Sequence, residues 1–385
     1  MCFGANLDAQ DPVSLNLNSQ SGLPGNAVYN LLQDQQGFIW IGHDKGLSRF
    51  DGINFRHFTV PAQQGRSVSN LMEINHQIWC QDFSGHFYYT RGDRLYKETA
   101  ILTTGAYSPA GAMANQSILF INHDSLKTFD PQERITKAFP SVPNIKRAVF
   151  HSRQENTSYF LSEKALHQFD GRGHSLVYSF SANLSSSAFL VKCGANFYTF
   201  GRKEQPFCHQ ITASGTVPMP VLNEARLIQD VTLVGDEIWV STTSGAYAFD
   251  SQMQPLYGGR CFFPEHSITQ ILKDREGNYW FGTLNTGVLM VSDMHTVLIR
   301  YPAESVTALS PYKNREILVG TSANSIFAFD PQSRRNQKIV TNSAKEEILA
   351  LYYDAPYETV VSCANSVRIY QRQTKIREEL IAGKN

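Results

Sequence analysis

Ionisable and hydroxyl-bearing side chains collect in this chain at one recurring place, a short polar turn that follows an aromatic-centred apolar run. The turns read His43-Asp44-Lys45, Asp82-Phe83-Ser84, Asn122-His123-Asp124, Ser162-Glu163-Lys164, Arg202-Lys203-Glu204, Thr242-Thr243-Ser244, Thr283-Leu284-Asn285, Thr321-Ser322-Ala323 and Cys363-Ala364-Asn365. Segments leading into the preceding apolar run add Asn26, Asn70, Arg147, Arg226 and Thr269. Carboxylates such as Asp44, Asp82, Asp124, Glu163 and Glu204 are the groups that hydrolyse glycosides, but that chemistry needs two of them at a set separation. Each of these sits in a different copy of the turn, so no catalytic residue is assigned. His43, His86, His123 and His167 lack the spacing of metal ligands, and no metal or cofactor is expected. Turns that vary while their framework persists suit a ligand site. The expected ligand-contacting set is His43, Asp44, Lys45, Asp82, His123, Glu163, Lys164, Arg202, Arg226, Thr243, Thr283 and Asn285.

The elements that position these turns follow from an internal repeat. Residues 26–51, NAVYNLLQDQQGFIWIGHDKGLSRFD, return at 267–291 as SITQILKDREGNYWFGTLNTGVLMV. Residues in the place of Trp40 recur at Trp79, Phe120, Phe160, Tyr198, Trp239, Trp280, Leu318 and Val360, at intervals of 38 to 42. Nine copies at that period, each with room for four short strands, point to an all-β propeller rather than a sandwich or a helical solenoid. Short alternating apolar runs broken by Gly, Asn, Asp and Pro argue against helices. In the first copy the spacing predicts strands over 28–32, 38–41, 47–50 and 55–59, joined by turns rich in Gly and Asn. The aromatic of the second strand is expected to pack against the neighbouring blade as core.

Nine blades exceed the usual ring. The expectation is one ring of seven to nine blades, or a ring of seven followed by the start of a second. Residues 1–20 form an N-terminal segment in which VSLNLN, at 13–18, alternates apolar and polar and could fasten the last blade. Residues 21–380 carry the repeats, with a break near 300 if a second ring begins, and 381–385 form a tail.

Lys plus Arg and Asp plus Glu number 34 each, so no electrostatic footprint for nucleic acid is present. No run of eighteen apolar residues exists, and a membrane would be reached only through a segment outside this sequence. MCFGAN has neither the basic nor the apolar region of a secretory signal; it reads as the tail of one or as an ordinary terminus. Cysteines at 2, 80, 193, 208, 261 and 363 show no paired spacing and are expected to be buried strand thiols.

Three motifs carry a resemblance: Leu-Pro-x-Asn-x-Val at 23–28, Gln-Asp-x-x-Gly-x-x-Trp-x-Gly at 33–42 and Gly-Leu-x-Arg-Phe-Asp-Gly at 46–52. Together they resemble the two-component regulator propeller repeat of bacterial sensor kinases, strongly in the first and seventh copies, fairly in the sixth, and elsewhere mainly by spacing. Where that family usually has Thr after Trp-x-Gly, this chain has His43 in its first copy and Thr283 and Thr321 later. The resemblance implies a periplasmic, non-enzymatic sensor for a nutrient such as an oligosaccharide, a downstream kinase in the parent protein, and homodimeric signalling. The segment 34–40 is similar to the sialidase Asp-box but one residue longer between Asp and Gly. A lyase or glycosidase, or a protein-interaction scaffold, is the rival reading.

Overall fold

Each polar turn reverses the chain into the next strand, and nine antiparallel sheets result in the computed structural model. It describes residues 11–59, 67–101, 109–122, 124–145, 149–152, 155–180, 184, 187–201, 207–219, 227–294, 296, 301, 304–333, 335–341, 346–371 and 373–380. The first sheet runs Val28–Gln33, Ile39–His43, Gly46–Phe50 and Phe55–Phe58. His43 therefore ends a strand rather than opening a turn, and Phe38 and Thr59 fall outside the ladder. Every residue in the place of Trp40 lies on the second strand of its sheet.

Residues 12–296 form one unit of seven blades: 28–58, 68–97, 110–138, 149–179, 187–219, 228–249 and 268–291. The seventh blade takes its outer strand from the other end of the unit, Leu15–Leu17, which pairs antiparallel with residues 288–290. The sixth sheet has three ladder strands; isolated bridges at Ala246 to Phe262 and Phe249 to Pro255 stand where a fourth would pair.

Successive side chains of a strand point to opposite faces, so each second strand serves two interfaces. Trp40 packs forward onto Val68 and Leu71 of the next blade. Ile41 packs backward with Trp280 and Val288 of the seventh. Seven such apolar clusters, one per neighbouring pair, close the ring.

The glycine of Trp-x-Gly has a physical cause in this stacking. A methyl group on Gly42 would lie 2.7 Å from the Val68 carbonyl oxygen of the next blade. Gly42→Ala is expected to cost about 1–3 kcal/mol by forcing that strand away. It would appear as a lower urea midpoint at unchanged m value; an unchanged midpoint would show that the strand retreats freely.

The other unit holds blades 306–341 and 350–380, joined through Leu318, Ile326, Val360 and Tyr370. Arg368, nearly buried, is held by Glu346 and Glu378, each at 2.7 Å. Val306 and Leu309 occupy the ladder positions of Val28 and Leu31, yet they are 44% and 65% exposed where the ring buries its own pair.

Candidate functional site

The polar turns and the starts of the innermost strands share one end of the ring. Backbone bonds tie them together: Asp44 N to Ala27 O, Thr243 N to Leu227 O and Leu284 N to Ser267 O. Just inside that end the ladder slips by a residue at the same place in several blades. The slips fall between Val28 and Asn30, Ser187 and Phe189, Ile228 and Asp230, and Ile268 and Gln270, with a wider one after Ser69. A bulge leaves one residue unpaired and re-aims the side chains beside it. Here it presents Tyr29 and Asn30, Ser69 and Asn70, Ala188 and Phe189, Gln229 and Asp230, and Thr269 and Gln270 to a central channel of about 850 Å³ lined by all seven blades.

Several second members of these pairs hold the ring. Gln270 Oε1 accepts from Leu31 N at 2.6 Å and from Asn30 Nδ2 at 2.9 Å. Asn30 Oδ1 accepts from Leu71 N at 2.6 Å. The Asn70 amide, oriented to satisfy both its ends, accepts from Ala110 N at 3.0 Å and donates to Ala110 O at 2.8 Å. Asp230 Oδ2 accepts from the Thr232 hydroxyl at 2.6 Å. The first members Tyr29, Ser69, Gln229 and Thr269 face the channel beside them. Phe83 and Leu284, from the polar turns of the second and seventh blades, complete one wall, with Phe83 edge-on to Tyr29 at 5.0 Å between ring centroids.

The expected ligand set divides against this geometry. His123, Arg202 and Arg226, like Arg147, lie outside the described residues. Lys45, Lys164 and Asn285 are exposed, and Thr243 is half-buried. Asp44 lies 3.6 Å from Lys45 Nζ, and Glu163 accepts from Asn144 Nδ2 at 2.9 Å. Asp82 is wholly buried and accepts from Ser84 N, His86 N, His86 Nδ1 and the Tyr88 hydroxyl. Thr283 is buried too, its hydroxyl bonded to Gly287 O at 2.9 Å. None of the described members lines the channel, whereas Asn70 and Thr269 do. The wall residues the sequence reading passed over are Tyr29, Gln229, Phe83 and Leu284. For Phe83 and Leu284 the one signal was a large apolar residue inside a turn otherwise polar, as in Asp-Phe-Ser and Thr-Leu-Asn.

His43 is 1% exposed and structural. Lys45 N donates to its Nδ1 at 3.1 Å, so the neutral ring carries its proton on Nε2 and donates to Ser48 Oγ at 2.6 Å. Ser48 in turn donates to His57 Nδ1 at 3.0 Å. Burial lowers the His43 pKa to about 4, against a smaller opposing pull from Asp44. The folded value lies below the unfolded one, so the unfolded chain takes the proton first. The contribution is complete above pH 6.5 and is lost as pH falls toward 4, by roughly 3 kcal/mol. Denaturation at pH 7.5 and 4.5 should show His43→Gln losing correspondingly less than the parent; equal losses would refute the assignment.

The channel is lined by one described carboxylate, Asp230, and one histidine, His151, whose Nδ1 lies 2.9 Å from Ser158 Oγ. Among the described residues no three of His, Cys, Asp and Glu are placed to share a metal ion. The described cysteines are unbridged; burial raises the thiol pKa of Cys80, and that of Cys208 to about 12, which holds both as inert thiols.

Residues 22–45 and 263–285 match the family described as two component regulator propeller. These two segments, not the whole chain, are similar to two-component regulator propeller repeats. The propeller repeats of the first and seventh blades therefore meet at the seam where the ring closes. No curated protein matches the sequence. Among solved structures, the extracellular domain assigned to a hybrid two component system of B. thetaiotaomicron is similar at 14% identity and TM-score 0.68, over 97% of this chain and 55% of that one. One assigned to a one component system of the same organism is similar at 17% identity and TM-score 0.53, over 94% and 53%. This chain thus spans about half the length of those domains. A streptogramin B lyase is similar at 13% identity and TM-score 0.56, over 72% of this chain and 96% of the lyase. At these identities the likeness is one of fold. No helix among the described residues is long and apolar enough to cross a membrane.

Proposed function

We propose that this propeller is the extracytoplasmic ligand-sensing module of a two-component signalling protein, exported to the periplasm. It binds a nutrient such as an oligosaccharide and passes its occupancy to a kinase elsewhere in the parent. The observation that carries the reading is the channel, large enough for a small ligand and lined by both polar and apolar groups. The repeat family and the neighbouring sensor domains support it. A single described carboxylate in the channel suits binding better than glycoside hydrolysis, which needs a pair. Signalling requires that the ligand bind two arrangements of the sensor unequally, and a homodimer is the arrangement we favour.

The test is a thermal-shift screen against plant, host and microbial oligosaccharides, with product analysis of every hit. Ligand at a hundredfold over its Kd should add about 2.7 kcal/mol to folded-state stability. A shift without turnover is the expected result. Turnover would make the chain an enzyme, a role for which a lyase of this fold is a precedent. A panel without any shift would sink the oligosaccharide reading.

A further inference from the structure

We infer that the ring channel takes an uncharged, polyhydroxylated ligand seated with one apolar face on Tyr29, Phe83 and Leu284, and that it rejects acidic analogues of the same size. This rests on the sensing reading above and deepens it. The three wall residues come from the first, second and seventh blades, which adjoin at the ring's seam, and Tyr29 and Phe83 are in ring contact. Phe83 is 50% exposed and Leu284 37% exposed, although the turns that carry them are otherwise polar. An exposed aromatic held edge-on by a second ring offers a flat apolar face whose cost of ordering is already met by the fold.

Beside that wall the channel-lining polar groups are the Tyr29 phenol, the Ser69 hydroxyl and the Gln229 amide, all neutral donors and acceptors. Asn30 and Gln270, which could also have served, are occupied in tying one blade to the next. No Lys or Arg lines the channel among the described residues, while Asp230 does. Among the described groups a carboxylate or sulfate entering there would lose its water and meet neutral donors, the His151 imidazole and the like charge of Asp230, with no Lys or Arg to offset the loss, which is unfavourable. A neutral pyranose fits both surfaces: hydroxyls to the polar side chains, the C–H face to the aromatic wall.

The experiment is calorimetric titration of the whole chain with matched neutral and acidic probes, xylo- and cello-oligosaccharides against oligogalacturonides and sulfated oligosaccharides of equal length. The parent, Phe83→Ala and Gln229→Ala are compared; both substitutions lie at accessible positions, and circular dichroism checks their fold. A neutral probe should bind, weakened about tenfold or more by each substitution, with acidic probes at least about tenfold weaker. Acidic probes binding as tightly as neutral ones would overturn the inference and leave the sensing reading standing. So would neutral binding indifferent to both substitutions, since the site would then lie elsewhere. Absence of binding by every probe would overturn both.

Discussion

Asp274→Ala is expected to lower the unfolding free energy by about 3 kcal/mol or more. The Asp274 carboxylate, 7% exposed, accepts from Asn278 N and Nδ2, each at 2.8 Å, and from the Trp280 indole at 2.7 Å. Its counterpart Asp34 accepts from Gln36 N, Phe38 N and the Trp40 indole in the same way. One side chain thus shapes the turn and satisfies the indole N–H that would otherwise be buried without a partner. The second blade supplies the control. Its turn is one residue shorter and has no such Asp, and Trp79 Nε1 is buried with no hydrogen bond. Trp79→Phe should therefore change stability by less than about 1 kcal/mol apart from packing, whereas Trp280→Phe takes from Asp274 Oδ2 one of its two hydrogen bonds and should cost about 1.5–3 kcal/mol. Chemical denaturation of the pair decides it: equal costs would mean that the Asp and indole pairing adds nothing to burial.

Opening the seam of the ring should be equally damaging. Leu17→Asp is expected to cost about 3–5 kcal/mol, because it removes an apolar side chain and buries a charge among Leu23, Val28 and Val288. Removing residues 11–18 entirely should cost at least as much, since it also frees a ladder edge on the seventh blade. The seam has further polar fasteners, Gln33 to Glu276 at 3.0 Å and Arg275 N to Gln33 at 2.9 Å, but these are exposed and contribute less. Calorimetry of Leu17→Asp against Leu15→Asp makes the measurement specific, as Leu15 is 52% exposed on the same strand. If both substitutions cost the same, burial at Leu17 is not what fastens the ring.

Much of the fold was legible because propeller blades are built locally. Strand, turn and strand lie within forty residues, and the Asp, Gly and Trp of each unit have their reasons inside that unit or in its immediate neighbour. Trp40 could be read as core because a bulky residue repeated at every copy must meet something repeated. His43 shows the limit of that reading. In sequence it looks like turn chemistry at a variable position, yet the bond from Lys45 N and the Ser48 hydroxyl draw it inward. Asp82 and Thr283 went the same way, because short polar side chains at strand ends satisfy their own turns first.

By itself the sequence determined the repeat, the strand order within a blade and the aromatic interfaces, since those follow from period-two alternation and from turn residues close in the chain. Where the ring closes, and which side chains face its channel, only the tertiary structure decided. Closure joins Leu15–Leu17 to Val288–Val291 across the whole unit; the alternation at 13–18 marked a strand able to fasten a last blade, but nothing local said which of the nine copies that blade would be. The channel wall depends on a one-residue slip in the ladder, and such a slip redirects a strand's side chains without altering a single letter of its apolar pattern.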